Sequence, residues 1–125
     1  MRPHEKLEVW RRGVDFVVDV YKATELFPRE ERFGLTSQIR RAAVSVPANI
    51  AEGAARQTPR EFVNFLSIAQ GSASEAETEL LIALRLGYLS EQTHSSLRAE
   101  LDELGRMLVG LSRRVKRNVQ IAGEG

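Results

Sequence analysis

The chain has 125 residues, with 18 Lys+Arg against 17 Asp+Glu, 42% hydrophobic residues and no cysteine. That length suffices for a single core, while the missing cysteines exclude disulfide frameworks, thiolate metal sites and cysteine nucleophiles. A net charge of +1, no apolar run near the ~20 residues of a membrane span and a charged N-terminus predict a soluble, cytoplasmic protein with no membrane partner.

The first helix is predicted over about 5–26, with Leu7, Trp10, Val14, Val17, Tyr21 and Thr24 at heptad spacing and Pro28 as its stop. A second seam, Val9, Gly13, Phe16, Val20, Ala23 and Phe27, lies roughly 120° around the same helix. Glu8, Arg11, Arg12, Asp15, Asp19 and Lys22 fill the remaining, wet third. The second helix, about 30–53, carries Leu35, Ile39, Ala42, Ala43, Val46 and Ile50 and stops at Gly53. Pro47 removes one backbone hydrogen bond there and crowds the carbonyl of Ala43. The apolar phase continues from Val46 to Ile50, which favours one helix kinked at Pro47 over two short ones.

The third helix, about 59–86, opens with Thr58-Pro59-Arg60-Glu61, a capping Thr, a Pro at the first helical position and a Glu able to close a capping box. Its apolar series runs from Phe62 to Leu84, and Gly87 is the stop. The fourth, about 91–117, follows the N-cap Ser90 and holds the clearest seam, Leu97, Leu101, Leu104, Leu108, Leu111 and Val115. Residues 118–125 read as a disordered tail. Short connections between long helices predict one all-α domain, an antiparallel up-down-up-down four-helix bundle.

A bundle helix normally buries one stripe, and two helices carry more. The second seam of helix 1 and the off-stripe Ile68, Ile82 and Leu86 of helix 3 predict a homo-oligomer whose interface includes Val9, Phe16, Val20, Ile68, Ile82 and Leu86. The alternative is a helix 1 sitting deep in a skewed bundle.

Little supports catalysis, and no cofactor is expected. The chain has two histidines. His94 follows Glu91 at the Glu-x-x-His spacing of di-iron bundles, but such sites need a second copy and two more carboxylates. No glycine-rich phosphate loop occurs. Glu75 and Glu79 share a helix face near apolar positions, where a solvated edge or ion pairs with an Arg of helix 2 are expected in preference to acid–base work. Within Ser45-Val46-Pro47-Ala48-Asn49-Ile50-Ala51-Glu52-Gly53, the small residues permit close helix approach. Asn49 and Glu52 there could satisfy backbone groups left free by Pro47 and the helix end.

That segment is the core of a longer run, Glu31 to Gly53, that resembles the signature of the bacterial 23S rRNA intervening-sequence protein family. Leu7-Glu8-Val9-Trp10, Phe27-Pro28, Glu61-Phe62, Gly71-Ser72, Glu75 and Leu86-Gly87-Tyr88 resemble it too. The resemblance implies a four-helix bundle, ring-like pentamers and an association with rRNA genes. It also implies a relation to the accessory variability determinant of diversity-generating retroelements, which engages nucleic acid and reverse transcriptase through a basic surface. It implies no enzymatic residues.

The function expected is a non-enzymatic oligomeric scaffold engaging RNA, DNA or a ribonucleoprotein through Arg11, Arg12, Arg40, Arg41, Arg106, Arg113, Arg114, Lys116 and Arg117. Fifteen of the 18 basic residues are Arg, which suits bidentate phosphate contacts. No aromatic residue interleaves with the C-terminal cluster, so phosphate-dominated binding is expected there. The alternative is a protein–protein adaptor without a nucleic-acid role. Charge is segregated along the chain: residues 1–74 carry 11 basic and 9 acidic groups, net +2; 75–103 carry 2 and 7, net −5; 104–125 carry 5 and 1, net +4.

Overall fold

A computed structural model describes residues 1–124, with side-chain surroundings through residue 118. The described residues form four α-helices and no strand: α1 (Glu8–Thr24), α2 (Leu35–Ala54), α3 (Pro59–Arg85) and α4 (Glu91–Glu124). Short 3-10 turns at Pro3–Lys6 and Arg29–Glu31 precede α1 and α2, so both helices start later than their apolar pattern implies. The segment expected as a tail is helical as far as Glu124, and Gly125 lies outside the described residues.

The helix ends have identifiable causes. The Glu61 amide donates to Thr58 Oγ1 at 3.2 Å, and Pro59 fills the first helical position, where its missing N–H costs nothing. The Thr93 amide donates to Ser90 Oγ at 3.1 Å. Gly87 takes φ +81° after α3, while the Tyr88 amide reaches the Ala83 carbonyl and the Gly87 amide the Leu84 carbonyl. That is a Schellman stop, and only glycine adopts its backbone without strain. Glu31 caps α2: its Oε1 accepts the Leu35 amide at 3.1 Å, while Oε2 accepts the Tyr88 hydroxyl at 3.0 Å.

Each helix packs on its neighbours in sequence, and α1 also packs on α4. The Leu97–Val115 seam of α4 is wholly buried, as its spacing predicts. The structure corrects the reading of α1. Val9, Phe16 and Val20 are 4%, 0% and 0% exposed, which makes them core of the single chain and removes them from any oligomer interface. The Leu7–Tyr21 seam lies at the rim instead, with Val14 and Tyr21 exposed. The physical reason is Gly13, in the same seam as Val9 and Phe16: a Cβ there would lie 3.2 Å from Pro47 Cβ, so this is the face on which α1 meets α2 most closely.

α2 is one helix through Pro47. Asn49 Nδ2 donates to both the carbonyl and the hydroxyl oxygen of Ser45 at 2.8 Å, rather than to the Ala43 carbonyl that Pro47 leaves without its donor. Ser45 Oγ in turn lies 2.8 Å from Ser72 Oγ of α3. Glu52 pairs with Arg56 at 2.7 Å on the surface and caps nothing. A Cβ on Gly53 would lie 2.8 Å from Phe65 Cβ and 2.9 Å from Phe62 Cδ1. The motif is therefore structural: Pro47 fits α1, Ser45 bonds α3, and Gly53 lets α3 close on α2.

Glu79 is an exception inside the α3 stripe. It is buried, its Oε1 has no hydrogen-bond partner, and the expected ion pair with an arginine of α2 does not form among the described residues. Burial, reinforced by the neighbouring Glu75 carboxylate, pushes its pKa up to about 7.

Gly53→Ala should destabilise by about 1–3 kcal/mol in urea unfolding, because overpacking outweighs the gain in helix propensity. Gly105→Ala, where a Cβ meets nothing within 4 Å, should instead stabilise by up to about 1 kcal/mol. A carboxyl whose folded pKa is raised favours folding when protonated. The Glu79 contribution should therefore fall as pH rises from the ordinary carboxylate range to about 7, costing up to about 3 kcal/mol above that. Glu79→Gln should unfold at higher urea than wild type at pH 8 and lose this part of the pH dependence.

Candidate nucleic-acid interface

The nine basic residues singled out from the sequence fall into two groups. Arg11, Arg12, Arg106, Arg113, Arg114, Lys116 and Arg117 come from the first turns of α1 and from α4 between its middle and residue 117. One open groove, lined by Leu7, Val9, Arg106, Leu111 and Arg114 among others, brings these two segments side by side. Arg40 and Arg41 sit apart, beside Tyr21 and Thr24 at the far end of α1. Ten residues of helix rise, about 15 Å, separate Arg11 from Tyr21.

Within the first group, acidic residues hold some arginines. Glu8 pairs with Arg11 at 3.0 Å and Arg12 at 3.6 Å, and Glu103 with Arg106 at 2.7 Å, all one helical turn apart. The hydrogen bonds from Arg11 and Arg106 come first among the causes that hold Glu8 and Glu103 below their ordinary pKa. Pairs this exposed are screened by water and add little to stability. Arg113, Arg114, Lys116 and Arg117 are exposed and make no ion pair among the described residues. Arg106, Arg113 and Arg117, spaced by 7 and 4, lie along one line of α4 about 16 Å long. Arg113 and Arg106 also border the groove between α3 and α4, where Glu77 and Asp102 make the lining mixed in sign.

The second group includes residues that the sequence reading passed over. A groove of about 690 Å³ at the α1–α2 junction is lined by Tyr21, Arg32, Phe33, Thr36, Arg40 and Arg41 among others, and none of its lining residues is acidic. Phe33, just before α2, is 87% exposed, and the Arg32 guanidinium lies 5.2 Å from its ring centre. The Arg40 guanidinium lies 4.4 Å from the Tyr21 ring centre and is fixed by hydrogen bonds to Thr24 Oγ1 at 2.9 Å and the Tyr21 carbonyl at 3.4 Å. Thr36 is buried, with an Oγ1 that has no partner. The adjacency of Arg32 and Phe33 was the one local signal. Tyr21 and Arg40 meet only because α1 and α2 pack together.

An acidic cleft lies between the basic groups. Asp15 and Asp19 of α1 face Glu100 of α4, with Arg12 and Lys22 at the edges. Burial, then Asp19 and Asp15, raise the Glu100 pKa to about 7. No group of three or more His, Cys, Asp or Glu is arranged to hold a metal ion among the described residues, Glu91 and His94 included. No described helix is long and apolar enough to cross a membrane.

The comparisons agree with this architecture. No curated protein matches the chain. A protein of unknown function from the S23 ribosomal protein family of Bacteroides thetaiotaomicron has a similar structure. Its TM-score is 0.78 at 26% identity, over 84% of this chain and 95% of that one. The family model described as 23S rRNA-intervening sequence protein matches residues 5–110. With that match over most of its length, the chain belongs to the 23S rRNA-intervening sequence protein family.

Proposed function

We propose that this protein is a non-enzymatic, homo-oligomeric scaffold that engages RNA, or a ribonucleoprotein partner, through the arginine line of α4. The observation that carries the reading is the exposed run Arg113, Arg114, Lys116 and Arg117, which has no counter-ions among the described residues and of which Arg113 and Arg117 align with Arg106. Cations at a helix C-terminus complement the helix dipole, but α4 continues to Glu124, so the run lies within the helix instead of at its end. Guanidinium groups in such a row suit phosphate oxygens and read no sequence. Membership in a family named for intervening sequences of rRNA favours RNA, and the relation to the retroelement accessory protein is part of the same proposal.

The oligomer is proposed to form through the apolar flank of α3, where Ile68, Ile82 and Leu86 are 44%, 45% and 54% exposed. A pentameric ring, the assembly that the family resemblance implies, would repeat the basic line around its axis. A protein–protein adaptor is the second reading, favoured by the acidic α1–α4 cleft. Partners that survive nuclease treatment and are lost in Asp19→Asn would support it over the first.

Filter binding tests the first reading. Wild-type protein should retain rRNA at low salt, with affinity falling steeply as salt rises, and Arg113→Ala with Arg114→Ala should weaken binding and flatten the salt slope by about 1–2. No retention at low salt would refute it. Sedimentation tests the assembly: Ile82→Glu with Leu86→Glu should shift the protein to monomer with little loss of monomer stability, since both side chains are half exposed.

A further inference from the structure

The α1–α2 groove differs in kind from the α4 arginine line. A row of guanidinium groups can meet phosphates without aromatic rings, and no aromatic residue lines the described grooves that Arg106, Arg113 and Arg114 border. Here three arginines surround two exposed aromatic rings, and no carboxylate lines the groove. The acidic α1–α4 cleft and the mixed-charge α3–α4 groove lack this combination.

We infer that this groove is a stacking site for the bases of a single-stranded polynucleotide, with Phe33 as the platform and Arg32, Arg40 and Arg41 holding the flanking phosphates. The inference rests on the nucleic-acid reading above but places contacts on a separate surface. Phe33 leaves most of an apolar ring in water, which a stacked base would cover. Arg32 lies over one face of that ring, leaving the other for a base. Arg40 is already oriented by Thr24 and Tyr21, so little side-chain freedom is lost when it meets a ligand. Charge selects the same ligand: three cations and no anion suit a polyanion with flat, polarisable bases. A duplex keeps its bases stacked inside and cannot use the ring.

The test is fluorescence anisotropy with labelled oligoadenylate RNA, the same sequence in DNA, and a duplex. Phe33→Ala should weaken both single strands about tenfold or more and leave the duplex unchanged. Phe33→Trp should restore binding, and its fluorescence should be quenched by the unlabelled single strand. Phe33 is exposed, so neither variant threatens the fold.

Unchanged single-strand binding by Phe33→Ala, alongside weakened binding by the Arg113/Arg114 variant, would overturn the stacking site and leave the α4 reading standing. Equal losses on duplex and single strand would also overturn it. A Phe33→Ala variant that dissociates an oligomer without altering binding would assign the ring to a second copy of the chain. Preference for a phosphopeptide over oligoadenylate would assign the groove to a protein ligand, and wild-type protein that binds no polynucleotide would remove both proposals.

Discussion

The distance between α2 and its two neighbours is set where a side chain is missing. Gly13 lets α1 come down on Pro47, and Gly53 lets the backbone of α2 approach Phe62 and Phe65 of α3. Much of the core arrangement depends on these approaches. With α1 seated on Pro47, its Val9–Phe16–Val20 seam is directed into the core, and the other apolar seam of that helix is left at the rim. With α3 seated at Gly53, Ser45 and Ser72 come within 2.8 Å of each other, and the Ser45 hydroxyl oxygen links Ser72 of α3 to Asn49 of α2. A proline inside a helix usually carries a cost of several kcal/mol. Here its ring is buried against another helix and fills volume that a more flexible side chain would fill less rigidly.

How much of this was legible in the sequence depended on whether a contact was local. The α4 seam, the Thr58 and Ser90 caps and the Gly87 stop could be read because each is decided within a few residues. The pairing of Glu8 with Arg11 and Arg12 is likewise implicit in their spacing. The two seams of α1 could not be ranked by period, since both alternate steps of 3 and 4. Gly13 was the discriminating residue, because a glycine in an apolar stripe marks the side on which another backbone approaches. The nucleic-acid candidates divided for the same reason. The α4 arginines share one helix and were found together, whereas the Tyr21–Arg40 stack joins residues 19 apart on different helices. The family signature was recognised as a motif, but its physical content emerged only with the partners Gly13, Phe62, Phe65 and Ser72 in place.

The distribution of charge shows a division of labour that net charge conceals. Arg11, Arg12 and Arg106 are partly neutralised by glutamates on their own helices, and the arginines beyond them on α4 are not. The acidic groups have the opposite fate. Glu79 and Glu100 are pushed toward neutrality by burial and by other carboxylates, so the acidic middle of the chain carries less negative charge near neutral pH than its composition states. Segregation along the sequence becomes a spatial one. Exposed cations remain at both ends of α1, while the most crowded anions lie partly protonated between helices.

Glu31 holds together two turns that are distant in sequence. One carboxylate oxygen caps α2 and the other accepts the hydroxyl of Tyr88, whose ring in turn lies 5.5 Å from that of Phe27. The segment carrying Arg32 and Phe33 is therefore fastened to the α3–α4 turn as well as to its own helix. A ring held out on a braced segment meets a ligand without the entropic penalty of ordering a loop. The connector thus acts as a preorganised mount, and its stiffness has its source in a tyrosine 57 residues away.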